Sequence, residues 1–411
     1  MATSRSNFPS LDENPDFAAW NPQQRSPKAL YLHIPFCRHR CGYCNFALVA
    51  DRDYLIDRYL TALETEISWL EQSFPIDSVY LGGGTPSHLD PVQLARLRHI
   101  IDSRFSLNDA AEFTAECNPN DLTAEKAQSL KSIGVNRVSL GVQSLNPDKL
   151  LHLERDHRAE DVKNAIDQAR SFARSVSIDL IFAAPNETLS QWRADLKAAL
   201  LLRPDHLSAY ELTYEKGTQF WNRRQRGELN EADEELRAQM YETIIVNAAA
   251  AGLFQYEVSS FAVPKHQSRH NQVYWSGHPW FAFGAGAARY IDGVRQTNHQ
   301  STLTYIKQVE SNQLPITISE KLNPLESAKE LLALGLRKVS GVLESEFLEM
   351  TGFQVIQILG IKSVVWQMEG LLRLQIGRWQ LTARGRLLCD RIAAEILEHK
   401  VAPADGGDET V

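Results

Sequence analysis

From Ala29 onward, apolar runs of strand length alternate with stretches whose apolar residues recur at helical period. Ala29 to Ile34, Ser78 to Leu81, Glu112 to Glu116, Arg137 to Leu140, Ser177 to Phe182 and His206 to Leu212 read as strands. Between them, Tyr54 to Leu70, Pro91 to Phe105, Thr123 to Ile133, His157 to Ala173 and Leu189 to Leu201 read as helices. In the first of these, Ile56, Tyr59, Leu63, Ile67 and Leu70 share one face. Repeated strand–helix units predict an α/β fold with a parallel sheet and right-handed crossovers. Six units make an incomplete barrel, and functional residues are expected at the carboxyl ends of its strands.

Beyond the sixth strand the pattern changes. Tyr214 to Asn230 is turn-rich and carries Arg223, Arg224 and Arg226, read as a solvated linker with propionate recognition as the alternative. Glu231 to Ala251 is a long amphipathic helix and Gln255 to Ala262 a strand, followed by the glycine-containing stretch Trp280 to Tyr290. From about Pro324, helices are predicted at Leu331 to Leu336, Glu344 to Met350 and Phe353 to Trp366. A hairpin over Leu371 to Gln375 and Arg378 to Leu381 and a last helix, Ala383 to His399, complete a module of winged-helix type. The expected division is a flexible arm (1–27), a core barrel (28–215), a mixed α/β extension (216–322), a C-terminal helical module (323–400) and a disordered tail (401–411).

The 411 residues suffice for one large domain and a smaller one, and no run reaches the ~20 apolar residues of a membrane span. A polar N-terminus without an apolar stretch implies a cytoplasmic protein. The net charge of -8 argues against a general nucleic-acid binder.

Three of the five cysteines, Cys37, Cys41 and Cys44, fall within eight residues directly after the first strand, spaced C-x3-C-x2-C. Thiolates hold iron–sulfur clusters. Three of them leave one iron of a [4Fe-4S] cluster open to an amine and a carboxylate, which S-adenosylmethionine carries beside a cleavable sulfonium. The alternative is a structural zinc site, which needs a fourth ligand. His33 and His39 are near, but neither makes a common zinc spacing. Cys117 and Cys389 stand alone and read as structural thiols.

Seven segments in order carry a resemblance: Tyr31 to Phe46, Gly82 to Ser87, Glu116-Cys117-Asn118-Pro119, Gly141 to Ser144, Ser177 to Phe182, His270-Asn271-Gln272-Val273-Tyr274-Trp275, and Ala333 to Arg337. In these the chain resembles the radical S-adenosylmethionine superfamily, and within it the haem chaperone HemW group, relatives of oxygen-independent coproporphyrinogen III oxidase. The resemblance implies an incomplete (β/α)6 barrel and a cluster on Cys37, Cys41 and Cys44. It implies S-adenosylmethionine contacts from Tyr31, Gly83, Gly84, Thr85, Glu116, Gln143, Arg155 and Asp179. It further implies haem as cargo, haem-accepting proteins of the respiratory chain and thus transient contact with membrane proteins, and an electron donor.

His270 beside Tyr274 and Trp275 is a candidate axial haem ligand, with His266 and His278 as alternatives; the other reading is a hydrogen-bonded core histidine. Two departures from the family pattern stand out: Glu154 where glycine usually precedes the arginine, and Ala183-Ala184-Pro185-Asn186 where Gly-Leu-Pro-Gly is usual. The oxidase relatives carry a further cysteine two residues after the third ligand, where this chain has Phe46. With the short N-terminal arm, this favours the chaperone over the oxidase, with cleavage of S-adenosylmethionine expected and coproporphyrinogen oxidation not.

Overall fold

The structure, a computed structural model, describes residues 26–399. The expected arm, apart from its last two residues, and the expected tail lie outside the described residues. Six parallel strands form the centre: β1 (Ala29–Ile34), β2 (Phe74–Gly83), β3 (Phe105–Cys117), β4 (Arg137–Gln143), β5 (Ser175–Phe182) and β6 (His206–Glu211). Three more strands, β7 (Phe254–Glu257), β8 (Ser260–Ala262) and β9 (Phe281–Phe283), extend the sheet. Its order is β9-β1-β2-β3-β4-β5-β6-β8-β7, with β9 parallel to β1 and β8 antiparallel to both β6 and β7. This is the expected parallel α/β architecture, lengthened at both edges by the chain beyond β6.

The connecting helices are α1 (Ile56–Ser68), α2 (Pro91–Asp102), α3 (Ala124–Ser132), α4 (Pro147–His152), α5 (Ala159–Arg170), α6 (Leu189–Leu201), α7 (Gln219–Gln225), α8 (Glu234–Ala250) and α9 (Arg269–Trp275). Their starts are written locally. Asp90, Thr123, Asn146, Thr188 and Asp233 each accept a backbone N–H from the first turn of the helix that follows. The face anticipated for α1 is buried throughout, from Ile56 to Leu70. It packs in the main core with β1, β2 and β9 residues such as Leu30, Leu81 and Phe283.

Several boundaries differ from the sequence reading. The strands β2 and β3 begin earlier, because Phe74 pairs with Phe105 ahead of a polar, mostly exposed run in β3 that hides the alternation. Gln255 to Ala262 is a tight antiparallel pair instead of one strand. The linker Tyr214 to Asn230 contains α7, capped by Thr218. The helix expected over Phe353 to Trp366 is interrupted at Gly360 (φ 53°) into Val355–Leu359 and Lys362–Met368. The last helix divides at Leu388 into Ala383–Leu387 and Cys389–Glu398.

The C-terminal hairpin forms as anticipated, Leu372–Gln375 against Arg378–Leu381, and Val342–Leu343 adds a third strand. These elements surround a second core running from Ala328 to Ile396. Val258, between β7 and β8, packs against both cores, and its N–H donates to the Arg337 carbonyl at 3.1 Å. No helix among the described residues is long and apolar enough to cross a membrane.

Candidate functional site

The cysteine loop is closed at its neck by its own backbone. Phe36–Cys37 pairs in parallel with Val49–Ala50, and the Val49 N–H donates to Pro35 O at 2.7 Å. Inside the loop, the Cys44 N–H donates to Cys41 O at 3.0 Å, and Arg40 donates to the carbonyls of Phe46 and Leu48. His33 ties the loop to β1, its Nε2 lying 2.6 Å from Ala47 O and its Nδ1 3.0 Å from the Tyr31 hydroxyl. Burial lowers the His33 pKa to about 4, so the ring is neutral and Nε2–H can donate to the carbonyl. A further anchor comes from α7, whose Phe220 N–H donates to Gly42 O at 2.9 Å.

The Gly82-Gly83-Gly84 run at the end of β2 answers first to protein neighbours. A side chain at Gly84 would meet the backbone of Ile34, Pro35 and Phe36 within 2.9 Å, and one at Gly83 (φ 112°) would enter the His33 ring. This closeness lets Gly84 N–H donate to Ile34 O and Thr85 N–H to Phe36 O, both at 2.8 Å. It also brings the Thr85 hydroxyl 3.1 Å from Cys37 Sγ.

From Thr85 a polar circuit runs across three strand ends. Asn118, just past β3, donates through Nδ2 to Thr85 Oγ1 at 3.1 Å and accepts from Arg155 Nη2 at 2.8 Å. Arg155 also donates to Gly141 O at 2.9 Å and approaches Cys41 Sγ at 3.6 Å. Two of the three clustered cysteines are thus linked through one threonine, one asparagine and one guanidinium. The arginine's backbone is set by Glu154, which takes φ 56° in the glycine position of the family pattern. The Glu154 side chain reaches over Gly42 and pairs with Arg223 at 3.6 Å.

Glu116 and Asp179 face the same space. Glu116 accepts from the Tyr80 hydroxyl at 2.8 Å and from Gly83 N–H at 3.1 Å. Asp179 accepts from the Ser139 hydroxyl at 3.1 Å. Burial raises both carboxyls, Glu116 to about 7 and Asp179 to about 6, and the negative charge of Asp179 adds to the rise at Glu116. Burial likewise raises the Cys37 thiol to about 12 and pushes Cys44 up.

The cysteines and the strand-end polar groups line one cavity of about 1320 Å³, which includes Cys37, Cys41, Cys44, Gly83, Gly84, Thr85, Glu116, Gln143, Arg155 and Asp179. Gln143 reaches it with φ 63° at the end of β4. Tyr31 does not line it; its hydroxyl bonds His33 and its ring stacks on Tyr80. Phe46 is 64% exposed on the cavity wall. The sequence reading missed Tyr80 and Arg337 as cavity residues and gave Asn118 no role. Asn118 was findable, since it lies inside a segment already singled out.

His270 is placed elsewhere. It is 1% exposed, in the first turn of α9, with Nδ1 3.0 Å from Ser78 Oγ and Nε2 2.7 Å from Tyr274 OH. Its N–H donates to Glu112 at 3.0 Å, and burial lowers the ring pKa to about 3. Both ring nitrogens are engaged, so in this conformation His270 presents no free nitrogen to an iron, and the core-histidine alternative describes its surroundings. His266 and His278 also lie outside the cavity lining and are partly exposed. The basic cluster of the linker is occupied too: Arg223 and Arg226 pair with Glu228, and Arg224 with Glu231.

A parallel α/β sheet with cysteines, glycines and carboxylates gathered at its strand ends defines a class, and residues 31–199 match the radical SAM superfamily. The chain is 36% identical to the heme chaperone HemW of Bacillus subtilis over 90% of this chain and 99% of that one. It is 34% identical to HemW of Mycobacterium tuberculosis (92% and 96%) and 33% identical to the mitochondrial radical S-adenosyl methionine domain-containing protein 1 of Danio rerio (92% and 88%). The chain belongs to the HemW family of radical SAM proteins. Its fold is similar to that of coproporphyrinogen III oxidase (HemN) from Escherichia coli, with a TM-score of 0.81 at 23% identity over 93% of this chain and 92% of that one.

Proposed function

We propose that this protein is a haem chaperone that carries a [4Fe-4S] cluster on Cys37, Cys41 and Cys44, binds S-adenosylmethionine in the adjoining cavity, and hands haem to haem-dependent respiratory proteins. The observation that carries the reading is full-length similarity to HemW proteins together with one cavity that joins the three cysteines to the strand-end polar residues.

The donor set fits a cluster. Among the described residues no three His, Cys, Asp or Glu side chains gather where they could hold a single metal ion. Cys37, Cys41 and Cys44 would hold the cluster: all three line the cavity, the first two buried and the third half-buried. The raised Cys37 and Cys44 thiols are protonated when free, so iron has to displace their protons. The Thr85 hydroxyl beside Cys37 and the Arg155 guanidinium near Cys41 are donors that stabilise the resulting negative charge. When bound, the cluster supplies the electron that cleaves the sulfonium of S-adenosylmethionine.

For the nucleoside, Glu116 and Asp179 offer carboxylates to amine or hydroxyl groups, Arg155 a cation to the carboxylate, and Gln143 an amide to the ribose. Gly83, Gly84 and Thr85 supply the backbone edge. Tyr31 acts through His33 on the loop. A cavity of about 1320 Å³ exceeds the ~300–1,000 Å³ common for small ligands, which supports room for a second, large ligand. Of the candidate haem ligands, His266 and His278 lie outside this lining, and His270 would have to give up its bonds to Ser78 and Tyr274 to reach an iron.

The likeness in fold to coproporphyrinogen III oxidase supports a second reading, oxidative decarboxylation of coproporphyrinogen III. One anaerobic turnover assay separates the two, using cluster-reconstituted protein, coproporphyrinogen III, S-adenosylmethionine and a reductant. We expect 5'-deoxyadenosine without protoporphyrinogen and, in a separate titration of the same protein with haem, capture with a Soret band. Protoporphyrinogen formed over many turnovers would replace the chaperone by the oxidase.

A further inference from the structure

The same cavity has a wall that the cysteine loop does not explain. Arg337, Arg384 and Arg386 line it from the C-terminal unit, together with Leu387 and Leu388. Arg384 and Arg386 donate to backbone carbonyls, those of Glu369 and Leu381, Arg386 also bonds the Tyr241 side chain, and neither enters an ion pair among the described residues. Arg386 Nε is buried without a partner, and burial lowers its pKa. Arg337 stacks on Trp275, its guanidinium carbon 5.0 Å from the ring, and spends one nitrogen on Asp390, a side chain that is 91% exposed. Its Nε is also buried and unpartnered. Arg384 is exposed, whereas Arg337 and Arg386 are partly buried, and for these two an Nε turned from water without a partner is costly unless a ligand supplies the acceptor.

Among the described residues one acidic group of the C-terminal unit, Asp390, lines this cavity, and it is the exposed partner of Arg337; the others lie on other elements. Glu211 is held by Arg237, while Glu234 and Glu235 are exposed at the start of α8. One carboxylate, such as S-adenosylmethionine brings, calls for one guanidinium, and Arg155 is already beside the cysteines. Three further arginines next to leucines suit a flat apolar ligand bearing more than one carboxylate.

We propose that Arg337, Arg384 and Arg386 form a carboxylate subsite for the propionates of a tetrapyrrole, with Trp275 as the positioning residue for Arg337. The proposal rests on the haem reading above and adds where the cargo is gripped. It also gives the Trp275 end of the His270–Trp275 segment a task distinct from iron ligation: α9 meets the Ala333–Arg337 segment through this ring.

The test is absorbance titration of the full-length protein with haem and with haem dimethyl ester, in which the propionates are neutral. Wild type is expected to prefer the free acid. R384Q/R386Q and R337Q are expected to bind haem about ten-fold or more weakly, as for a lost charge-assisted hydrogen bond, and the ester as wild type does. Arg→Lys variants are expected to recover part of the loss. Equal binding of acid and ester by wild type, or unchanged haem affinity in the variants, would overturn the subsite alone. A parallel loss of both ligands in the variants would also overturn it, by showing that the arginines act through the fold. Failure of wild type to bind either ligand would overturn the haem reading with it.

Discussion

Glu116 sits between the Tyr80 hydroxyl and the Gly83 N–H, and at that position burial favours the neutral acid. Its pKa moves from 4.5 up to about 7, and that of Asp179 from 3.8 up to about 6. A carboxyl raised on folding contributes stability that is complete below its unfolded pKa and lost as pH rises through the folded one. The ligand-free protein therefore loses this contribution between about pH 4.5 and 7. Chemical denaturation from pH 5 to 8 is expected to show wild type losing stability relative to E116Q as pH rises, whereas parallel profiles would contradict the raised carboxyl. A cationic group bound between the two acids reverses the preference, because it favours their ionised forms. The residues that cost stability in the free protein are thus the ones proposed above to meet S-adenosylmethionine.

At the scale of elements, strand ends and turns decide what reaches the cavity. The chain leaves β5 through Ala183 (φ 60°) and Asn186 (φ 61°), the two positions where the family pattern has glycine. Left-handed backbone costs an L-residue with a Cβ roughly 1 kcal/mol, and asparagine tolerates it better than alanine. Ala183→Gly is expected to raise the unfolding free energy by about 0.5–1 kcal/mol, read from the denaturant midpoint at unchanged slope. A lower midpoint would mean that the buried methyl group contributes more than the strain removes. Glu154 is a different case. Its φ of 56° carries the same strain, but its side chain spans Gly42 and pairs with Arg223 of α7, so the substitution joins the cysteine loop to the next element. The glycine run at the end of β2 was legible as a close-approach segment. That the approaching groups are His33 and the Ile34–Phe36 backbone was not, because they come from a neighbouring strand.

Among the described residues two large hydrophobic cores meet at Val258, beside a small third cluster of Leu153, Ile181, Leu212 and Phe220, and one cavity is walled by residues of both large cores. The second core is smaller and surrounded by short helices, so its opening is expected to cost less than opening of the nine-stranded sheet. Native-state hydrogen exchange is expected to show residues 328–396 exchanging as a unit ahead of β1 to β5, with slowing on both sides of the cavity when haem is present. One common rate for both cores would contradict this independence. Such a unit can open one wall of the cavity while the sheet stays intact, which suits the haem uptake and release proposed above.

The sequence by itself determined the parallel α/β class, the caps that start α2, α3, α6 and α8, the buried face of α1 and the cysteine spacing. All of these follow from neighbours within a turn or two of chain, where period and residue type decide the outcome. Tertiary structure alone decided the circuit from Cys37 through Thr85, Asn118 and Arg155 to Cys41, because its members lie on four segments up to 118 positions apart, from Cys37 to Arg155. It also decided that His270 is buried with both nitrogens engaged and that Arg384 and Arg386, silent in the sequence, face the cavity. The physical reason is the same in each case. Burial and pairing of a polar group depend on which other elements fold against it, and no local pattern records that.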